Sequence, residues 1–260
     1  MKKKTNIKIV VAFILGAIIF GGIGVYAAVK IQASEIEYND TPLDEVLDDL
    51  YLKSQNSSLI SSFEITDDDL YKNAEATSVS LTLDSDSYYF CDYYSRNNSS
   101  GYSISGATKL TPVDISSTMT YTSRLMFIKT TNSNVTFTMS GVSGYAGNGV
   151  NCKKLSGSNL NEFDNLMMSK VISKNVSSQN SVSYNLNVGS LYLCNMIYKD
   201  GTKLGDLTGA EIIGQMKNHS AFGDGVYIKS SFVLKPTEST TAFNFTNNTN
   251  INSSCVKISN

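Results

Sequence analysis

The chain has 260 residues, a formal net charge of −2, one histidine, no tryptophan and four cysteines, and 83 of its residues are Ser, Thr or Asn. A single histidine excludes most Ser-His, Cys-His and His-zinc chemistry, and the near-neutral balance offers no basic footprint for nucleic acid, so no nucleic-acid partner is expected. The length allows one or two domains.

Lys2, Lys3, Lys4 and Lys8 precede an uncharged run of 21 residues, Ile9–Val29. As a helix this run would span roughly 31 Å, about one bilayer core. Lysines ahead of an apolar span hold that end in the cytoplasm, which predicts a single-pass anchor with residues 31–260 outside the cell. The competing reading is a cleaved signal peptide, with Val25-Tyr26-Ala27 at the cleavage site and the remainder secreted.

The next predicted element is a short helix over Pro42–Lys53. Thr41 suits the cap, Pro42 the first turn, and Asp44 and Glu45 the positive helix start. Leu43, Val46, Leu47, Leu50 and Tyr51 fall on one face. So short a helix is marginal alone, so its apolar face needs a partner; self-association is one candidate.

The stretch Ala33-Ser34-Glu35-Ile36-Glu37-Tyr38-Asn39-Asp40-Thr41, followed by Leu47-Asp48-Asp49-Leu50-Tyr51, resembles a segment of phage tail-fibre proteins. It also resembles uncharacterised membrane-anchored surface proteins of Gram-positive bacteria, in which the segment follows an N-terminal membrane helix. The resemblance covers about residues 1–53. It implies a surface location and, through the tail-fibre helices, oligomeric assembly.

Beyond the stalk the sequence repeats. Ser78–Cys91 and Ser181–Cys194, 103 positions apart, agree at seven of fourteen places, and Cys152 and Cys255 keep the same offset. Weaker matches pair Thr108-Lys109-Leu110 with Thr202-Lys203-Leu204, Phe127–Thr130 with Tyr227–Ser230, and Val135–Thr138 with Phe243–Thr246. Alternation predicts strands in both copies, with Tyr88–Tyr94 and Leu191–Tyr198 apolar on both faces as central strands. On the strand around Phe232, Val226, Ile228, Phe232 and Leu234 are expected inside, and Tyr227, Lys229, Ser231 and Lys235 outside. Helices are expected over the linker, from the stripe Leu160, Phe163, Leu166, Met167 and Val171, and over Ala210–Lys217, from the capping box Thr208/Glu211.

The fold class is therefore mainly β: an N-terminal transmembrane helix, a short amphipathic helix, then two tandem antiparallel β-sandwich modules, jelly-roll or immunoglobulin-like. The expected parts are 1–30, lysines and anchor; 31–74, an acidic stalk; 75–157, the first module; 158–177, a linker helix; and 178–260, the second module.

Four cysteines allow three pairings, and the repeat selects Cys91–Cys152 and Cys194–Cys255. An exported location makes their oxidation plausible; free buried thiols and a metal site are the rival readings. No catalytic, cofactor-binding or metal-binding residue is assigned. Asp67-Asp68-Asp69 and Asp84-Ser85-Asp86 are weak calcium candidates; the former is read in preference as the start of a short helix after Thr66, and the second copy carries no acid at Asn187-Val188-Gly189 opposite the latter. Tyr88, Tyr89, Tyr93, Tyr94 and Tyr102 could form a sugar-binding platform. The expected function is a non-enzymatic surface protein for display or adhesion. The alternative is a glycan- or envelope-polymer-binding protein, and a surface hydrolase is less favoured.

Overall fold

The computed structural model describes residues 37–38, 41–42, 63–96, 101–118, 121–141, 147–199, 201–216 and 227–259. The chain divides into two compact units, Met1–Gln55 and Asn56–Asn260. In the first, β1 (Glu37–Tyr38) pairs antiparallel with β2 (Thr41–Pro42), so the residues expected to cap a helix are extended. The rest of the predicted helix Pro42–Lys53 and the apolar run Ile9–Val29 lie outside the described residues. No helix among the described residues is long and apolar enough to cross a membrane.

The second unit is built from antiparallel sheets. The first sheet runs β3 (Phe63–Ile65), β12 (Asn148–Gly157), β6 (Tyr88–Arg96), β10 (Tyr121–Thr130) and β8 (Ala107–Lys109), with β4 (Leu70–Ala74) also on β12 and β9 (Ile115–Thr118) also on β10. A three-stranded sheet, β5 (Ser78–Thr82), β11 (Asn134–Ser140) and β7 (Gly101–Ser105), packs on one face of it. Their shared core holds Val79, Tyr89, Tyr93, Met126, Ile128, Phe137 and the disulfide Cys91–Cys152. In the third sheet, β13 (Met167–Met168), β19 (Thr240–Ser259), β15 (Leu191–Lys199), β18 (Tyr227–Pro236) and β17 (Ala210–Gln215) are neighbours in that order. β14 (Ile172–Asn185) and β16 (Leu204–Thr208) add to β19. A second core encloses Val182, Tyr184, Met196, Phe232, Phe243 and the disulfide Cys194–Cys255.

The strand pairings of the first half recur in the second. Cys91 faces Cys152 across β6/β12, and Cys194 faces Cys255 across β15/β19. Val79 faces Phe137 as Val182 faces Phe243. Ala107 faces Thr130 as Ala210 faces Pro236, and Ile104 faces Phe137 as Leu207 faces Phe243. The offset is thus 103 up to the end of β8, apart from a bulge in β16 ahead of Leu207, becomes 106 on β10 and β11, and returns to 103 at the last cysteine. Even turn chemistry repeats: the Tyr89 hydroxyl accepts the Asp84 amide at 2.9 Å, and the Tyr192 hydroxyl accepts the Asn187 amide at 3.0 Å. Gly106 (φ 80°) and Gly209 (φ 75°) occupy matching left-handed positions, where an added Cβ would strike the carbonyls of Asn134 and Thr240.

These registers correct three of the sequence matches. Phe127 corresponds to Val233 and not to Tyr227, Val135 to Thr241 and not to Phe243, and Thr108 to Glu211 and not to Thr202, as read from the pairings with β6, β5 and β10 and their counterparts.

The two halves share a third core within the same compact unit. Tyr88, Phe90, Leu125, Phe127 and Leu155 from the first meet Leu191, Leu193, Val233, Val256 and Ile258 from the second. Four of these are equivalent pairs: Tyr88/Leu191, Phe90/Leu193, Phe127/Val233 and Leu155/Ile258. Each half therefore presents the same face to the other, as subunits do across a two-fold interface.

The structure departs from the expected elements in four places. The linker forms only a 3-10 helix, Leu160–Asn165; strand resumes at Met167, and β14 starts at Ile172, before the expected module boundary. Its Phe163 plugs the shared core against Phe63 and Phe127, at centroid distances of 5.0 and 4.8 Å. Ala210–Gln215 is strand β17, held by β18. Residues 63–74, assigned by their charge to the stalk, form β3 and β4, and Asp67 and Asp68 lie on the connection between them instead of starting a helix. Lys229 and Ser231, expected outside, are 4% and 0% exposed, because both faces of β18 are covered.

Candidate functional site

The cysteines form the pairs that the repeat selects. Cys91–Cys152 and Cys194–Cys255 each link directly opposite strand residues, with Cα atoms 4.1 Å apart and a sequence separation of 61. All four are fully buried, so these bonds hold the cores and are not exposed to reagents in the folded state.

The tyrosines do not form a platform. Tyr88, Tyr89, Tyr93 and Tyr94 are buried in the cores. The Tyr88 hydroxyl donates to Asp164 at 3.0 Å, and Tyr94 shares a hydrogen bond with Tyr71 at 2.8 Å. Burial raises the pKa of Tyr93 and Tyr94 well above the ordinary tyrosine value. Two of the acidic candidates are similarly committed. Asp69 accepts the Asn151 side-chain amide at 2.9 Å, and Asp84 pairs with Lys154 at 2.6 Å. Among the described residues, no group of three or more His, Cys, Asp or Glu side chains converges.

Two polar constellations were not singled out by sequence reasoning. The first is a buried seam between the halves. Asp92 lies mid-strand on β6 and is 0% exposed. It accepts Ser123 Oγ at 2.6 Å and Ser231 Oγ at 2.7 Å, and pairs with Lys229 Nζ at 2.9 Å. Asn195, its counterpart on β15, donates to the carbonyl of Ser123 at 2.9 Å and accepts Ser123 Oγ at 3.2 Å. Ser123 occupies the position equivalent to Lys229, so the same two positions meet twice, once charged and once neutral. Burial lowers the Lys229 pKa, and Asp92 opposes that shift. The seam is closed to solvent, and its chemistry is that of a structural lock. Its signal in the sequence was an acid inside the apolar run Tyr88–Tyr94.

The second constellation is open. A groove of about 450 Å³ is lined by Tyr102 and Ile104 of β7, Ala107 and Lys109 of β8, Asp114, and Arg124 of β10. Arg124 shares the row of Met126 and Ile128, which points into the first core, and is 8% exposed. One of its nitrogens donates to Ser95 Oγ at 2.8 Å, and its guanidinium lies 5.2 Å from the Tyr102 ring centroid. Tyr93 backs that ring at 5.3 Å and stacks in turn on Phe137 at 5.2 Å. The Tyr102 hydroxyl donates to Asp114 at 2.7 Å, and Lys109 pairs with the same carboxylate at 2.8 Å. Burial, then the Asp114 charge, raise the Tyr102 pKa, so the phenol is neutral and donates. The sequence signal was an arginine, one of only two in the chain, in phase with inward-facing Met126 and Ile128.

A groove with a fixed cation, an aromatic ring and a carboxylate on its rim suits binding of a polar ligand. Among the described residues, its lining holds no acid besides Asp114. No protein-family model, curated protein or solved structure matches the chain.

Proposed function

We propose that this chain is an exported, membrane-tethered surface protein, built as two tandem β-sandwich modules, that acts by display or adhesion and not by catalysis. The observation that carries the reading is the pair of buried disulfides, one at the same place in each half. Such bonds persist in oxidising compartments outside the cytoplasm. The lysine-flanked run Ile9–Val29 supplies the anchor in this reading, and the Ser, Thr and Asn of the strands supply uncharged, soluble surface. The polar groove at Arg124 favours, as a second reading, binding of a glycan or envelope polymer.

The test is topology in cells. In intact cells, external protease should remove the C-terminal part while an N-terminal tag stays protected, and thiol labelling of the denatured protein should require prior reduction. A C-terminal part shielded until lysis, with four thiols labelled without reductant, would overturn the proposal.

A further inference from the structure

We propose that the groove between β7, β8 and β10 binds an acidic sugar unit, with its anion, a carboxylate or a phosphate, on Arg124 and its ring against Tyr102. This rests on the surface-binding reading above. The first support is an uncompensated cation. Arg124 is nine-tenths buried, yet no carboxylate among the described residues lies within ion-pair distance of it, and the acid of the groove, Asp114, is engaged by Lys109 and Tyr102. A buried charge without a counter-ion is costly, and a guanidinium offers a planar fork of donors matched to carboxylate or phosphate.

The second support comes from the other half of the molecule. There the positions of Tyr102, Lys109 and Arg124 are held by Leu204, Ile212 and Ser230. The Ser95/Arg124 hydrogen bond is replaced by one between Tyr198 and Ser230 at 3.0 Å, entirely within the core. The same strand arrangement therefore closes without the arginine, and building the sheet does not require it in the first half. What remains to account for it is the groove that it lines. The Tyr102 ring and the paired Asp114 and Lys109 line the groove beside the arginine, with acceptors and donors for sugar hydroxyls.

Binding is measured by calorimetry on the full-length protein in detergent micelles. The probes are oligogalacturonate, oligomeric glycerol phosphate and a neutral glucose oligomer. The acidic probes should bind saturably, more weakly as salt rises, and the neutral probe should not. The tighter of the two acidic probes tells a uronic-acid source from a polyol-phosphate source. Arg124→Gln should cost at least tenfold in affinity, and Asp114→Asn, which removes the rival carboxylate on the exposed rim, should strengthen binding severalfold. Equal binding of the neutral oligomer, no saturable binding of either acidic probe, or a folded Arg124→Gln protein with unchanged affinity would overturn the proposal. Should Arg124→Gln not fold, Asp114→Asn decides: unchanged or weaker binding overturns it. Failure here alongside an exposed, disulfide-bonded C-terminal part in cells removes the groove and leaves the surface reading standing.

Discussion

The ion pair Asp92–Lys229 sits where water cannot reach, at 2.9 Å with side chains 1% and 4% exposed. Two buried charges gain less from each other than their separation suggests, because both have lost hydration. Removing only one is worse, since the other is left alone. Lys229→Met should therefore destabilise the protein by about 3–5 kcal/mol in chemical denaturation, and the double substitution Asp92→Asn/Lys229→Met should recover most of that loss. An additive double variant would contradict the pairing. The buried tyrosines set a second residue-scale property. Desolvation raises the pKa of Tyr184 to about 12, and it also raises those of Tyr89, Tyr93, Tyr94 and Tyr198. The fold favours the neutral phenol, while an unfolded tyrosine ionises near 10. The stabilisation is therefore fully present below pH 10 and is lost as the pH rises through the folded-state values, by about 1.4 kcal/mol per pH unit for each such group. Tyrosinate absorbance should appear in one cooperative step above pH 10, together with loss of near-ultraviolet dichroism. Smooth ionisation of all tyrosines around pH 10 with the dichroism intact would contradict it.

At the scale of the element, each disulfide ties a central strand to its neighbour and closes a segment with a sequence separation of 61. In the chain-entropy model that contributes about 4 kcal/mol per bond. Reduction should lower the melting temperature by well over 10 °C, since a shift of several degrees accompanies each kcal/mol in domains of this size; an unchanged melting curve after complete reduction would refute a stabilising role. The central strands and these cysteines were legible because a strand buried on both faces has a continuous apolar signature and because the repeat fixed the pairing. The helices were not. Leu160, Phe163 and Leu166 have helical spacing, but that spacing is met by a six-residue 3-10 helix that drives Phe163 into the shared core. Thr208 and Glu211 imitate a capping box, yet Gly209 lies at φ 75° and Ile212-Ile213 are β-branched, so pairing with β18 decides. The groove was illegible for another reason. Tyr102, Lys109, Asp114 and Arg124 are scattered over 23 positions and meet only because β7 and β10 contribute to facing sheets.

At the scale of the compact unit, the two halves behave as one body because each lacks a finished surface. Phe90, Phe127 and Leu155 on one side and Leu193, Val233 and Ile258 on the other would all meet water if the halves were separated. Such a patch is an association site on a soluble protein. Hydrogen bonds across the seam add specificity: Ser117 Oγ donates to the carbonyl of Asn195 at 2.9 Å, and Ser254 Oγ to that of Ser116 at 2.8 Å. The seam also separates the matched pairing from the self-pairings. Joining the first half to the second sets Asp92 against Lys229 and Ser123 against Asn195. A first half paired with itself would set Asp92 against Ser123 twice and leave both buried acids without a cation. A second half paired with itself would bury Lys229 against Asn195 twice, again without a counter-ion. Cutting the chain between the halves and producing residues 56–157 and 158–260 together should therefore yield a 1:1 complex that co-purifies. Either piece alone should aggregate or self-associate weakly. A first half that runs as a stable monomer in size-exclusion chromatography, with native-like dichroism, would show that the shared core does not hold the unit together.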